Sequence, residues 1–216
     1  MKSRLFACLI LVLVCNHKSQ AQYKDLEGVF FGKVIALGVG GSVHSFKDKS
    51  IGTVFSVTPL TYSVILDNKR FTSMRLGLYQ KFKSTFSGND GITDYSQTAD
   101  YKLIEIEVAY KVALTREGLE RPASLFLNFQ GGSYIGKINV TDSRWGNLYE
   151  DRGGSYLGAG LSFFQRAGSR LIVFAEPVYR VSISNKNYLG ENGEKKLSLS
   201  GINGLVGLMF LIGKSN

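Results

Sequence analysis

A long alternation of apolar and polar residues over residues 101–114, YKLIEIEVAYKVAL, constrains the fold of this chain more than any other feature. A period of two is typical of a β-strand with two unlike faces. Strands of soluble proteins are commonly about 5–6 residues long, whereas a tilted strand needs roughly 9–11 residues to cross a bilayer. The length therefore favours a membrane strand. Its even positions are apolar and its odd positions carry three charges: Ile104, Ile106, Val108, Tyr110, Val112 and Leu114 against Glu105, Glu107 and Lys111.

Segments of this kind recur along the chain and predict eight strands. Short or moderate connections alternate with longer ones, and the longer ones are residues 84–100, 139–153 and 185–195. This asymmetry is typical of barrels whose inner turns are short. We therefore predict an all-β fold, an eight-stranded antiparallel up-and-down transmembrane β-barrel. The predicted strands cover residues 29–43, 53–66, 71–83, 101–114, 124–137, 156–165, 171–184 and 197–212.

The first 21 residues have the pattern of a secretory signal peptide. Lys2 and Arg4 precede an apolar run over residues 5–15, and a small-residue site ends at Ala21. The run is about half the length that a helix needs to span a bilayer, so cleavage is favoured over anchoring. We predict a leader over 1–21, a barrel domain over 22–216, and export to the outer membrane.

The cysteines define the remaining chemistry of the leader. Cys8 and Cys15 are the two cysteines of the sequence and both lie before the predicted cleavage site, so no disulfide or thiol chemistry is expected in the exported chain. Acylation of Cys15 is the alternative to simple cleavage, but Val14 stands where a lipobox usually has Gly, Ala or Ser.

The two faces of each strand predict which side meets lipid. In the third segment Met74, Leu76, Leu78 and Phe82 share one face, opposite a face with charges and Gly77. Glycine weakens strands that face bulk water, and it is expected where backbones crowd inside a narrow barrel. We therefore assign the aliphatic faces to lipid and the charged faces to the lumen.

This assignment collects seven charges of both signs in the lumen. A register with Lys83 near Tyr101 places Lys81 opposite Glu105 and Arg75 opposite Lys111. The interior of an eight-stranded barrel is just wide enough for side chains to fill it, so an ion-pair network that closes the lumen is expected. A narrow ion path and a small-ligand site are the alternatives. The predicted network contains Arg75, Lys81, Glu105, Glu107, Lys111, Glu176 and Arg180.

The first strand departs from the scheme at one position. Lys33 has the parity of Ile35, Leu37 and Val39, and a charge at mid-depth on a lipid face costs about 2–4 kcal/mol. Either a bulge near Gly32 shifts the register, or the odd-numbered face of this strand points inward.

With this leader, strand pattern and loop asymmetry, residues 28–213 resemble the small, porin-like outer-membrane β-barrel proteins of Gram-negative bacteria, of the OmpA-transmembrane, OmpX and OmpW type. The leader ending SQAQ resembles those of Bacteroidetes exports. The resemblance implies an integral outer-membrane barrel with a structural, adhesive or accessory role. Many such barrels end in an aromatic residue, whereas Phe210 is followed here by LIGKSN.

Two other functions are weighed against this one. Some small barrels modify lipid A with His, Ser and a carboxylate, and His44 with Ser42 and Ser45 is the candidate set here, although no orienting carboxylate is evident. A secreted lipocalin-like binder would instead bury the aliphatic faces. We expect no enzyme activity and no cofactor. Asp90, Asp94 and Asp100 are interpreted as a solvated acidic loop, so no metal site is expected either.

The outer loops are the expected contact surface for partners. Trp145 and Tyr149 are the candidate contacts in loop 139–153, and loop 84–100 is the second contact region. The other expected partner is outer-membrane lipid. The net charge is +9 but no Lys/Arg-rich run occurs, so nucleic acid is not expected, and a monomer is. Six aromatic residues near strand ends are expected in interfacial girdles: Tyr62, Tyr79, Phe82, Tyr134, Tyr149 and Tyr188.

Overall fold

The computed structural model describes residues 33–152, 154–183, 188–189, 195–196 and 198–215. The predicted leader and Cys15 lie outside these ranges, so cleavage, acylation and a Bacteroidetes-type leader stay predictions. No helix among the described residues is long and apolar enough to cross a membrane. The described strands are β1 Lys33–Phe46, β2 Thr53–Ile65, β3 Arg70–Tyr79, β4 Phe82–Asn89, β5 Asp94–Ala113, β6 Ala123–Asp142, β7 Gly146–Arg152, β8 Ser155–Arg166, β9 Leu171–Ser182, β10 Tyr188–Leu189, β11 Lys195–Lys196 and β12 Gly201–Ser215.

Eight of these strands close into an antiparallel barrel. Going round, β1 pairs with β2, β2 with β3, β3 with β5, β5 with β6, β6 with β8, β8 with β9, β9 with β12, and β12 with β1. Closure satisfies the backbone groups that an open sheet would leave at its edges. The predicted fold class, an eight-stranded antiparallel barrel, is confirmed.

Two hairpins continue the barrel wall beyond its rim. Strand β4 pairs with the first half of β5, and β7 pairs with the last part of β6, while β5 and β6 stay paired from Gln97↔Asp142 to Ala113↔Phe126. Residues 84–100 and 139–153, predicted as loops, are thus largely β-structure. We call the four-stranded sheet β4-β5-β6-β7 the extension, and the end of the barrel that carries it the long-loop end.

The predicted orientation of the faces is confirmed along β5. Ile104 and Val108 are 45% and 57% exposed, whereas Glu107 and Lys111 are 1% exposed. The same arrangement holds on β8, where Leu157 is exposed, and on β9, where Glu176 is buried. A lipocalin-like binder would bury the aliphatic faces inside its barrel. That alternative is therefore wrong, because the aliphatic faces of this chain point out of the barrel.

One prediction of face is wrong, and a single extra residue explains it. Leu78 pairs with Ile104 and Phe82 with Tyr101, so four steps on one chain match three on the other between β3 and β4. A shift of one residue turns every following side chain to the opposite face. Phe82 consequently points inward and is buried, while Lys81 and Lys83 are exposed on the outside.

The first strand keeps its odd-numbered face outward over the described side chains. Leu37, Val39 and Val43 are exposed, and Val34 and Ala36 are buried, so the alternative of an inward odd face is wrong. The register with β12 shifts between Ile35 and Ala36, a few residues beyond the bulge expected near Gly32. The Lys33 side chain lies outside the described residues.

The interior is layered along the barrel axis. Near the short-turn end, the rings of Phe71, Phe126 and Phe164 meet edge to face with centroids 5.1–5.3 Å apart. Near the long-loop end, Phe82 stacks on Tyr101 with centroids 4.5 Å apart. The charged side chains of β3, β5 and β9 lie between these two apolar layers, which shield them from water at both ends.

The turn between β5 and β6 closes the short-turn end. Leu119, in a 3-10 turn over Gly118–Glu120, is fully buried against the apolar layer near the short-turn end, which we call the lower layer; the layer near the long-loop end is the upper layer. Its backbone N–H donates to the Asn68 carbonyl over 2.8 Å, which joins this turn to the β2–β3 turn. Gly118 has a φ of +54°, and a Cβ atom there would lie 1.8 Å from the Asn68 carbonyl oxygen. Glycine is therefore required at this close approach.

Candidate functional site

The centre of the barrel holds a chain of ion pairs with equal numbers of cations and anions. Each charged group contacts one or two groups of opposite sign, so the signs alternate from one end of the chain to the other. The side chains come from three strands, β3, β5 and β9, whose inward positions fall at the same depth. We call this the ion chain, and its members in order are Lys111, Glu176, Arg75, Glu107, Arg180 and Glu105.

Arg75 joins the two halves of the ion chain. Its Nη1 donates to Glu107 Oε1 over 2.8 Å, and its Nη2 donates to Glu176 Oε2. Glu176 also accepts from Asn128 Nδ2 over 3.2 Å and lies 3.2 Å from the Lys111 ammonium. Lys111 in turn donates to the Ser73 hydroxyl over 3.0 Å. These contacts supply the additional hydrogen bonds that a buried ion pair needs.

The other half of the ion chain is built on Arg180. Its Nη1 lies 2.7 Å from Glu105 Oε1, and its Nη2 donates to Glu107 Oε2 over 2.5 Å. The Tyr156 hydroxyl lies between both carboxylates, within hydrogen-bond distance of Glu105 Oε1 and 2.9 Å from Glu107 Oε2, so its single proton is available to either. The guanidinium also lies 4.5 Å above the centroid of the Tyr156 ring. Stacking and hydrogen bonding together fix the plane of the Arg180 side chain.

Six of the seven charges predicted for the lumen lie in the ion chain, and Lys81 does not. Lys81 is exposed on the outer wall because the extra residue before β4 reverses its face. The pairing predicted for Arg75 is also wrong, since Arg75 lies opposite Glu107 and not Lys111. The true register replaces a repulsive neighbour with an attractive one.

A second polar group, around His44, adjoins the ion chain. His44 is 1% exposed, and its Nε2 lies 3.0 Å from Ser56 Oγ, which is 2.7 Å from Ser42 Oγ. On its other side, Nδ1 lies 3.2 Å from the Tyr79 hydroxyl, which donates to Glu105 over 3.0 Å. The barrel therefore supplies the carboxylate that was not evident in the sequence, through Tyr79.

This geometry disfavours the lipid-modifying alternative at Ser42 and His44. Both side chains point into the lumen, between the ion chain and the upper apolar layer, and both are buried. A lipid ester outside the barrel would have to pass through the wall to come within hydrogen-bond reach of a nucleophile and its base. The group acts as a packed polar layer.

No metal site is found among the described residues. They contain no group of three or more His, Cys, Asp or Glu side chains placed to hold an ion. Of the three aspartates of the long second connection, Asp94 accepts from Asn89 over 2.6 Å, Asp90 accepts from Arg144, and Asp100 lies 3.1 Å from Lys83. Each of these carboxylates has its own separate partner.

Arg144 fixes the two tips of the extension to each other. Its Nη2 donates to Asp142 Oδ2 over 3.0 Å, its Nη1 donates to Asp90 Oδ2 over 2.6 Å, and its guanidinium lies 4.0 Å from the Tyr95 ring centroid. The hydrogen bond from Arg144 holds the pKa of the Asp142 carboxyl below its ordinary value. Both hairpins thus form one ordered unit.

The ends of this unit expose large apolar side chains. Ile92 is 93% exposed at the β4–β5 tip, and Trp145 is 72% exposed at the β6–β7 tip. The exposure of Trp145 is what a contact residue requires, and its contact with a partner stays a prediction. The side chain of Tyr149 lies outside the described residues. Tyr79, Phe82 and Tyr134 are not in an interfacial girdle, because they form the upper layer inside the barrel.

The polar partners of the ion chain were not identified from the sequence. Tyr156 and Asn128 lie on inward faces of β8 and β6, where their neighbours Gly158 and Gly160 carry no charge. The sequence did contain a signal for the inward orientation of Tyr156, since this residue alternates in step with Gly158 and Gly160 on the face assigned to the lumen. Arg144 was missed because its role depends on the meeting of two hairpins that are distant in sequence.

Comparisons with known proteins indicate similarity of fold only. The chain is similar in structure to Neisserial surface protein A, with 12% identity, 83% of this chain and 96% of that one covered, and a TM-score of 0.47. It is also similar to the outer membrane protein OprG from Pseudomonas aeruginosa, with 11% identity, coverages of 88% and 100%, and a TM-score of 0.46. It is similar as well to Ail, the attachment invasion locus protein of Yersinia pestis, with 11% identity, coverages of 83% and 97%, and a TM-score of 0.41.

No protein-family model matches the chain, and no curated protein matches it in sequence.

Proposed function

We propose that this chain is an integral outer-membrane barrel with a lumen closed by side chains, which acts outside the cell through its extension in a structural, adhesive or accessory role. The observation that carries the proposal is that burial is reversed relative to a soluble protein, in which apolar side chains lie inside and charged ones outside. Charged groups occupy the centre of the molecule, and large apolar side chains cover its wall. Water would be an unfavourable solvent for that wall, whereas hydrocarbon would suit it.

The height of the apolar wall supports a membrane location. It extends from Ile104 on β5 to Leu114, the residue after β5, both exposed, which is about 33 Å along the chain at roughly 3.3 Å per residue. A tilt of roughly 40° reduces this to about 25 Å, the usual height of the apolar band of such barrels. Each of the eight barrel strands contributes a side chain that is about half exposed: Val39, Val57, Met74, Val108, Phe129, Leu157, Val181 and Val206.

The contents of the lumen support a closed barrel. Three cations and three anions of the ion chain neutralise each other, and apolar layers cover the chain on both sides. A passing ion would have to displace Leu119 and the phenylalanine rings at one end and the stacked Phe82 and Tyr101 at the other. Breaking the ion pairs in a dry interior would add several kcal/mol.

The extension supports a role outside the cell. The long connections of outer-membrane barrels face outward and the short turns face the periplasm. On this orientation the ordered tips with Ile92 and Trp145 are the parts furthest from the membrane. Exposed aromatic anchors are frequent at protein contacts, and the Arg144 contacts remove part of the ordering cost of binding.

The membrane location is tested by the mobility of residues 22–216 on unheated gels after refolding in detergent micelles and, in parallel, in plain buffer. A compact band that disappears on boiling, present in detergent alone, is the expected result. A folded soluble monomer in plain buffer would contradict the proposal.

The orientation is tested by labelling intact Gram-negative cells with a membrane-impermeant maleimide. Trp145→Cys at a tip of the extension is expected to react in intact cells, and Lys69→Cys in the β2–β3 turn is expected to react after lysis. The unsubstituted chain is the matched control for any reaction of Cys8 or Cys15. Labelling of Lys69→Cys in intact cells, with Trp145→Cys protected, would reverse the proposed orientation.

A further inference from the structure

Hydroxyl side chains cover part of the outward face of the extension. The strand pairing sets three threonines side by side, one each on β4, β5 and β6. Three serines follow two residues nearer the tips, on β4, on β5 and directly after β6. The last two serines are joined, since Ser96 N–H donates to Ser143 Oγ over 3.0 Å. The threonine row is Thr85, Thr98 and Thr141, and the serine row is Ser87, Ser96 and Ser143.

A groove of about 540 Å³ lies along the serine row. Its other lining residues are Gly88, Asp94 and Tyr95. Asp94, at the start of β5, is exposed, and its carboxylate accepts from Asn89 Nδ2 over 2.6 Å. A Cβ atom at Gly88 would lie 2.7 Å from the Tyr95 ring, so glycine lets this ring pack directly on β4. The lining thus combines three hydroxyls, one carboxylate and one phenol ring.

Contacts between the two hairpins hold the groove in one shape. Ser143 N–H donates to the Ser96 carbonyl over 2.9 Å, in addition to the bond from Ser96 N–H to Ser143 Oγ. Next to this pair, Arg144 connects Asp142 with Asp90 at the other tip. A ligand that binds here therefore has little protein chain to order, which lowers the cost of binding.

The lining favours a ligand with many hydroxyl groups. A serine hydroxyl donates one hydrogen bond and accepts two, and a carboxylate only accepts. Ser143 Oγ already accepts from a backbone N–H, so its proton stays available to a ligand oxygen, while the Asp94 carboxylate offers lone pairs to a ligand hydroxyl. Among the described residues that line the groove, none is a lysine or arginine that would attract an anion, and none has an aliphatic side chain that would bury an apolar peptide.

Trp145 adds an aromatic surface beside the groove. It is 72% exposed and follows the lining residue Ser143 by two positions in the same turn. The negative face of an aromatic ring attracts weakly positive hydrogen atoms. One face of a pyranose ring carries C–H groups of this kind, and its rim carries hydroxyls. A saccharide therefore matches both the serine row and Trp145.

We propose that the groove is a binding site for an uncharged saccharide. Hydroxyls of the saccharide bond to the serine row and to Asp94, and a ring of the same saccharide lies on Trp145. The threonine row continues the hydroxyl surface toward the membrane for further sugar units. This site deepens the adhesive role proposed above, on which it rests, by adding the chemical class of the partner.

Binding is tested by applying the refolded chain, in detergent micelles, to an array of immobilised glycans with neutral, sialylated and sulfated members. Retention on neutral glycans is expected, with weaker retention on the sialylated and sulfated forms of the same glycans, because the Asp94 carboxylate repels an anion. The neutral glycan that is retained best is then titrated as a free oligosaccharide, and its dissociation constant is measured by saturation-transfer NMR.

Asp94→Asn and Asp100→Asn form a matched pair of variants. Both carboxylates face outward on β5, but Asp100 pairs with Lys83 over 3.1 Å and lies outside the groove. Hydrogen bonds to a charged group are stronger than neutral ones, so Asp94→Asn should weaken binding at least about tenfold. Asp100→Asn should change the affinity by about twofold or less, because it is distant from the groove. If Asp94→Asn loses the boiling-sensitive band, Ser87→Leu, which fills the groove and removes a hydroxyl, should give a loss of about tenfold or more.

Three results would overturn the saccharide site: no retention of any neutral glycan, preference for sulfated or sialylated glycans, or equal losses for the Asp94 and Asp100 variants. Failure of the membrane proposal is a different result, because a chain without a boiling-sensitive band in detergent contradicts the membrane location. A chain that shows the band and binds no neutral saccharide contradicts only this site.

Discussion

Replacing Glu107 with Gln is expected to destabilise the barrel strongly, because this carboxylate is the anion of the ion chain that pairs with both of its arginines. It accepts hydrogen bonds from Arg75 over 2.8 Å, from Arg180 over 2.5 Å and from Tyr156 over 2.9 Å. Gln preserves the shape but removes the charge, and it leaves two buried guanidinium groups with one carboxylate each. Removing one partner from a buried ion pair typically costs about 3–5 kcal/mol.

The free energy of unfolding is measured by urea titration in phosphatidylcholine vesicles, with the boiling-sensitive band as the signal for folded protein. A loss of about 3–5 kcal/mol lowers the equilibrium constant for folding by two to nearly four orders of magnitude. The loss should be nearly equal at low and high salt, because buried charges are screened little by ions.

Glu117→Gln is the matched control for this change. Glu117 pairs with Arg121 over 2.7 Å, but both side chains are exposed in the β5–β6 turn. Exposed pairs of this kind contribute about 0–1 kcal/mol. A loss below about 1 kcal/mol for Glu107→Gln, or equal losses for the two variants, would refute the view that the ion chain is a dry, mutually dependent unit.

Two further predictions concern the two ends of the barrel. Gly118→Ala should lower the free energy of unfolding by more than about 2 kcal/mol, because the new Cβ would meet the Asn68 carbonyl; Gly52→Ala, at a φ of +71° with no atom within 4 Å, should cost only about 1 kcal/mol in the same urea assay. Equal losses would contradict the turn contact. Asp142 has a lowered pKa in the folded chain, so its contribution is complete above its unfolded pKa of about 3.9 and is lost only as the pH falls through the lower folded value. Hydrogen-exchange protection factors of residues 142–146 should therefore be equal at pH 7 and pH 5 and fall at both in Arg144→Gln; a fall in the unsubstituted chain at pH 5 would contradict this.

The barrel could be predicted from the sequence because alternation is a local property. Each strand that crosses the membrane must present apolar side chains on one face, so residues such as Ile104 and Glu105 report their own orientation. The even number of segments and their unequal connections then indicate closure. Ile104 is exposed and Glu105 is buried, and this difference could be predicted from the residues next to them in the sequence.

The pairing of the lumen charges could not be predicted from the same pattern. It depends on the register between strands, and the single extra residue between Leu78 and Phe82 changes both the face of Lys81 and the strand pairing beyond it. A local period gives no signal for such a bulge until the neighbouring strand is known. The Arg144 contacts depend in the same way on two distant hairpins.

The distribution of charge separates what holds this barrel together from what it offers to partners. The three cations and three anions of the ion chain cancel, so this chain carries no net charge. Its charged groups therefore need no added counter-ion. The large apolar side chains of Ile92 and Trp145, in contrast, are exposed at the tips of the extension. Binding of a partner is therefore expected at the extension, and not in the lumen.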